Sequence, residues 1–107
     1  MTILRFGALL SVLCFSLANA QAADLEAGKQ KSKVCSACHG AAGISPNTSW
    51  PNLAGQQTAY LVKQMKEFRE GKRSDPWMTP MALPLSDEDI ENLAAFYNGL
   101  PVRDEYQ

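Results

Sequence analysis

Cys35, Cys38 and His39 are the residues of this 107-residue chain whose types and spacing could do chemistry together. They stand in the run Cys35-Ser36-Ala37-Cys38-His39. Two thiols three positions apart share one helical turn, so both can reach one edge of a flat ring. The histidine that follows then lies under the centre of that ring. C-x-x-C-H is accordingly the attachment pattern of a c-type haem. The thiols add to two vinyl groups of one porphyrin, and an imidazole nitrogen binds the iron. A histidine one residue further along would miss the metal.

C-x-x-C also serves zinc sites and redox-active dithiols. Zinc would run short of ligands here. His39 is the only histidine, and the only other cysteine, Cys14, lies in a segment expected to be removed. A zinc site would have to recruit carboxylates. A thioredoxin-like dithiol wants a βαβ context, and no strand pattern borders the motif.

Iron held by one histidine has a second face, and its occupant decides the function. A thioether there favours ferrous iron and raises the reduction potential. An open face would instead suit gas binding or catalysis. Met65, Met78 and Met81 are the candidates once Met1 is set aside with the leader. Met65 falls on the apolar stripe of an expected helix and reads as core packing. Met78 and Met81 share the proline-bounded stretch Pro76-Trp77-Met78-Thr79-Pro80-Met81. Only one of the two can bind the iron, so the other packs.

The elements that must position these residues read as helices. Asp24 is placed as the N-cap of a helix from Leu25 to about Val34, with Gly28 inside it. An interior helical glycine costs about 1 kcal/mol against alanine, which suggests close packing at that point. Residues 40–55, with Gly43, Pro46, Pro51 and Gly55, read as a long loop able to wrap one haem edge. Gln57 to Glu70 carries Tyr60, Leu61, Met65 and Phe68 at helical spacing and stops at Gly71. Lys72 to Leu85, with three prolines, reads as irregular. Ser86 opens a last helix through a capping box with Asp89 in place of glutamate. Its apolar stripe is Ile90, Leu93, Ala94 and Tyr97, with Phe96 alongside, and Gly99 and Pro101 end it. The expected fold is all-α, with about three main helices around one covalently bound haem. Trp50 and Trp77 sit in the two loops, where packing against the haem is expected rather than electron relay.

Residues 1–20 read as a secretory signal peptide. Arg5 supplies the positive end, an apolar run from Phe6 to Ala18 follows, and Ala18-Asn19-Ala20 is an A-x-A cleavage site. Cleavage after Ala23 is the alternative. The apolar run is shorter than the roughly 20 residues of a spanning helix. Residues 21–107 are then a single mono-haem domain in the periplasm, the compartment outside the cytoplasmic membrane where bacterial haem attachment takes place. A core this small is marginal without a staple, and a covalently held haem would supply one.

Taken together, these segments resemble a class I c-type cytochrome, in particular the cytochrome c4 and cytochrome c553 group of bacterial periplasmic electron carriers. The resemblance runs through Ala27-Gly28, Val34 to Gly40, Ser45-Pro46 and Pro51-Asn52-Leu53-Ala54-Gly55-Gln56. It continues through Tyr60-Leu61, Gln64-Met65, Gly71-Lys72-Arg73, Met78-Thr79-Pro80-Met81 and Leu85 to Phe96. It implies Cys35 and Cys38 as the thioether cysteines and His39 as the proximal iron ligand. It implies Pro46 as the residue whose carbonyl receives the imidazole N–H. It implies Gly28 and Phe96 as the crossing point of the first and last helices. By distance from the Ser86 helix start it implies Met78 as the distal ligand, with Met81 as the alternative. Cytochromes c4 carry two haem domains, whereas this sequence holds one C-x-x-C-H and so points to the single-haem relatives. The middle section is also similar to haem subunits of flavocytochrome c sulfide dehydrogenases.

The function expected is a one-electron shuttle rather than an enzyme. Its partners would be redox proteins that donate or accept electrons, such as an oxidase, a reductase or a dehydrogenase. The alternatives are a haem subunit of a larger dehydrogenase and a gas-binding haem protein. Charge separates along the sequence. Residues 29–73 hold eight Lys or Arg against two Glu, a net +6, and residues 74–107 hold seven Asp or Glu against one Arg, a net −6. A dipolar monomer of this kind would be steered by its basic half onto acidic partners, at a rate that falls with salt. The chain has a net charge of −1 overall, which gives no case for nucleic acid.

Overall fold

The computed structural model describes residues 21–102, so the leader expected at residues 1–20 lies outside the described residues. Helix α1 spans Leu25–Lys31 and runs on into a 3₁₀ turn over Ser32–Val34. Helix α2 is one turn, Ser36–His39, α3 spans Thr58–Glu70, α4 spans Met78–Ala82 and α5 spans Asp87–Asn98. No strand occurs among the described residues. The three expected helices are therefore α1, α3 and α5, and α1 and α3 both pack on α5.

The caps explain where the helices begin. The Asp24 carboxylate accepts the Ala27 N–H at 3.0 Å and starts α1. The Ser86 hydroxyl accepts the Asp89 N–H, and the Asp89 carboxylate accepts the Ser86 N–H, each at 3.0 Å. Both bonds of the box are made, so aspartate serves where glutamate is usual. Gly71, at φ 77°, takes the left-handed step that ends α3.

The stretch from Lys72 to Leu85 is less irregular than its prolines suggest. Met78 to Ala82 is helical because Asp75 builds the start for it. The Asp75 carboxylate accepts the N–H groups of Trp77 and Met78, each at 2.8 Å, and the Asp75 N–H donates to the Thr79 hydroxyl at 3.0 Å. Pro80 is the third helical residue, where its missing N–H has no intrahelical partner to lose.

The centre of the core is Leu61, Leu93, Ala94 and Tyr97, with Met65, Phe96 and Leu100 packed against it. Gly28 lies where α1 crosses α5. A Cβ there would stand 2.2 Å from the Asn92 carbonyl oxygen and 3.0 Å from Phe96 Cβ. Only glycine lets the two backbones come so close. Asn92 also reaches across the crossing. Its buried side-chain carbonyl accepts the Asp24 N–H at 2.7 Å and so ties the start of α1 to the middle of α5. At the start of α5, Arg69 of α3 donates to the Leu85 carbonyl at 3.0 Å and to the Asp87 carboxylate at 2.7 Å. No helix of the described residues is long and apolar enough to cross a membrane.

Candidate haem-attachment site

Cys35 sits at the junction of two turns. Its N–H donates to the Ser32 carbonyl at 2.9 Å and closes the 3₁₀ turn. Its own carbonyl accepts the N–H groups of Cys38 at 3.2 Å and His39 at 2.9 Å and opens α2. That single helical turn carries both thiols and the imidazole. Both cysteines are free and half-buried. The Cys35 side chain packs against the Leu61, Leu93, Ala94 and Tyr97 cluster. Burial there pushes its thiol pKa up, the Tyr97 hydroxyl opposes the shift, and Cys38 adds to it.

His39 is buried, and its Nδ1 lies 2.8 Å from the Pro51 carbonyl oxygen. A carbonyl can only accept, so Nδ1 carries the hydrogen and Nε2 of the neutral ring keeps its lone pair. Such an oriented imidazole is what a metal ligand needs, because the second bond fixes both tautomer and ring plane. The acceptor is Pro51 and not Pro46, which the family resemblance had implied. The local reason is the loop. Ser45 Oγ sits 3.1 Å from the Cys38 carbonyl and 2.7 Å from the Asn47 carbonyl, and it accepts the Asn47 N–H at 3.1 Å. The Asn52 side chain accepts the Ser45 N–H at 2.7 Å. Pro46 and Pro51 are both exposed at the surface, but within this knot it is the Pro51 backbone carbonyl that reaches the imidazole. The loop starts at Gly40, whose φ of 79° and 1.9 Å Cβ approach to the Ile44 carbonyl oxygen admit no side chain.

Met78 is the first residue of α4. It is half-buried and lies close to His39. Met81 stands one turn later and is 42% exposed. Asp75 holds the turn, and the N–H groups of Met78 and then Trp77 keep its carboxyl below the usual carboxylate range. Trp77 itself is 70% exposed. Met65 packs against the core cluster, together with Leu53, Val62, Leu85, Phe96 and Leu100.

The donor set fits a haem c. Two free thiols and a histidine with an open Nε2 share one turn, and a thioether stands close by. Among the described residues, no group of three or more His, Cys, Asp or Glu is placed to hold a metal ion by itself. Among the described residues one buried side-chain atom is left over: the Tyr97 hydroxyl has no hydrogen-bond partner. Asp75, Pro51, Asn92 and the Tyr97 hydroxyl were not singled out in the sequence. Asp75-Pro76 followed by Thr79 was a readable helix start, whereas the other three depend on the fold.

Residues 25–100 match the model of the Cytochrome c family. The chain belongs to the cytochrome c family. Cytochrome c4 of Thiocapsa roseopersicina is 46% identical over 82 residues, which cover 76% of this chain and 42% of that protein. Cytochrome c-554(548) of Halomonas halodenitrificans is 45% identical over 80 residues, covering 72% of this chain and 96% of that protein. A thiosulfate dehydrogenase electron acceptor of Stutzerimonas stutzeri is 40% identical over 72 residues, covering 66% of this chain and 33% of that protein. The crystal structure of reduced recombinant cytochrome c4 from Pseudomonas stutzeri superposes with a TM-score of 0.70 at 42% identity, over 75% of this chain and 47% of that one. This chain thus spans about half the length, or less, of the cytochromes c4 it matches. The fold is the small all-α cytochrome c fold.

Proposed function

We propose that this cytochrome c domain is a one-electron carrier. Its haem is attached through Cys35 and Cys38, with His39 as proximal ligand and Met78 as distal ligand. When bound, the haem supplies reversible one-electron exchange at its iron. The observation that carries the reading is the single turn that holds both thiols and a histidine whose Nδ1 hydrogen is already committed to Pro51. His39 is presented as a neutral donor, so ligation needs no tautomer change. The Pro51 carbonyl raises the basicity of Nε2. Half-burial of Met78 on a capped turn keeps its thioether near one position and limits water at that face. Met81 stays outside as a surface residue. No bond of a substrate is made or broken by these groups, and the domain is a carrier rather than an enzyme.

The periplasm is the compartment that fits, given the sequence leader expected at residues 1–20. The relatives named thiosulfate dehydrogenase electron acceptors support a dehydrogenase as one class of donor. They also keep in view the second reading, a haem c unit within a larger dehydrogenase assembly. The domain works as a monomer in the first reading and with a fixed partner in the second. Gel filtration of periplasmic extract separates them.

Visible spectra of the purified protein, oxidised and reduced, with and without CO, test the ligation. A covalent, low-spin haem that ignores CO is the expected result. A high-spin haem that takes CO readily would overturn the Met78 assignment and bring gas binding forward.

A further inference from the structure

The Tyr97 hydroxyl oxygen is fully buried, and among the described residues no group accepts its hydrogen. The residue as a whole is 3% exposed. A buried hydroxyl without a partner costs about 1–3 kcal/mol, and phenylalanine would fill the same space without that cost. Ser32 and Cys35 are the polar side chains near enough to bear on the titration of the hydroxyl. Ser32 is itself buried, and its hydroxyl hydrogen goes to the Lys29 carbonyl at 2.7 Å. It makes no hydrogen bond to Tyr97 in the folded chain. Cys35 packs against the cluster that contains Tyr97. As a thiol, its sulfur carries a hydrogen of its own and is a weak acceptor. As a thioether that sulfur has no hydrogen, and only lone pairs remain to meet the phenol.

We propose that Tyr97 is a positioning residue whose hydroxyl donates its hydrogen to the Cys35 sulfur once the haem is attached. This rests on the haem c reading above. It makes the two thioethers unequal. The Cys35 sulfur is clamped from α5 inside the core, and the Cys38 sulfur is held by the backbone of α2. Helix α5 would thereby fix the position of the Cys35 sulfur, although it contributes no attachment residue. Burial also holds the phenol well above its ordinary pKa, so the hydrogen stays in place across the working pH range.

The test uses the holoprotein and a Tyr97→Phe variant, both first checked by mass for covalent haem. Tyrosine labelled with carbon-13 at Cζ allows the hydroxyl proton to be sought by NMR in the diamagnetic ferrous state. The expected result is a slowly exchanging hydroxyl proton with contacts to the Cys35 Cβ protons, absent from Tyr97→Phe. The variant should keep its haem, and its unfolding midpoint should fall by about 4 °C or more. A hydroxyl proton that is missing, or that contacts Ser32 alone, overturns the proposal. So does a Tyr97→Phe midpoint equal to or above that of the parent. If no covalent haem is found, the haem reading falls and takes this proposal with it. If haem is attached and the hydroxyl contact is missing, only the Tyr97 assignment falls.

Discussion

Alanine at position 28 should destabilise the protein even though it improves the helix. In an isolated helix, Gly28→Ala would gain about 1 kcal/mol. The crossing with α5 reverses the sign. The new Cβ would meet the Asn92 carbonyl oxygen at 2.2 Å and the Asn92 carbonyl carbon at 2.7 Å. Both atoms are backbone in mid-helix, so no side-chain rotation relieves the clash. Helix α1 must back away from α5 as a body. Overpacking of this kind costs about 1–3 kcal/mol. The same movement stretches the 2.7 Å bond from the Asp24 N–H to the buried Asn92 side chain. Stranding that acceptor costs about 1–3 kcal/mol more. The exposed Lys31–Asp89 pair at 3.3 Å adds little. With the propensity gain subtracted, the net loss is about 1–5 kcal/mol. Near the middle of that range, at about 3 kcal/mol, the unfolding midpoint falls by about 12–24 °C for a domain of this size. Thermal unfolding of the holoprotein followed by circular dichroism measures it. Gly99→Ala is the control, because its Cβ would meet nothing nearer than 3.5 Å. A Gly28→Ala midpoint equal to or above the parent's would refute the argument from the crossing.

Met78→Ala should open the distal face, so that the ferrous protein binds CO and gains a high-spin spectrum, while Met81→Ala should leave both unchanged. The opposite pattern would assign the ligand to Met81. Asn92→Ala should cost about 0.5–1.5 kcal/mol, because it removes the bond that ties the Asp24 N–H to α5, and chemical unfolding of the holoprotein reads it. The Asp75 carboxyl is held below its ordinary value of 3.8 by the N–H groups of Met78 and Trp77. A depressed folded pKa means that the stabilisation is present above 3.8 and is lost as pH falls through the lower folded value. An acid titration watched by CO binding should therefore show the distal face opening at very low pH in the parent and already at neutral pH in Asp75→Ala, which removes the acceptor of both bonds. Equal titrations of the two proteins would remove Asp75 from the account of α4.

What could be read from the sequence followed from local rules. The caps at Asp24 and Ser86 depend on side chains acting within three residues, and both are made. The long helices follow the spacing of Leu61 and Phe68 on α3 and of Ile90, Leu93 and Tyr97 on α5. The closeness of Cys35, Cys38 and His39 needs only one helical turn. Gly28 was informative because a glycine there contradicts helix propensity and so signals a neighbour. Helix α4 was hidden, because Pro76, Pro80 and Pro84 outweighed the cap offered by Asp75 and Thr79. The partner of the His39 imidazole was assigned to Pro46 for a different reason. The acceptor is a backbone carbonyl, which every residue has, so residue type cannot identify it. The knot around Ser45, which decides which carbonyl of the loop meets the ring, exists only in three dimensions. The Tyr97 hydroxyl is the same kind of case. Its position on the apolar stripe predicts that the ring is buried, but not that its polar tip is left without a partner.

The packing order of the helices has a consequence for how the protein breathes. Helices α1 and α3 lie on α5, whereas α4 packs mainly on α3 and is closed by short-range bonds from Asp75 and Thr79. Sub-global opening free energies differ between such units, and segments with few buried contacts open first. The Cys35–His39 turn belongs to the slow unit, braced by Ser45, Pro51 and the core. Residues 72–85 belong to the fast one. Amide hydrogens of α4 should therefore exchange with solvent well ahead of those of α5. Exchange in that order would mean that the turn carrying Met78 can swing aside, like the lid of a locket, while the attachment turn stays shut.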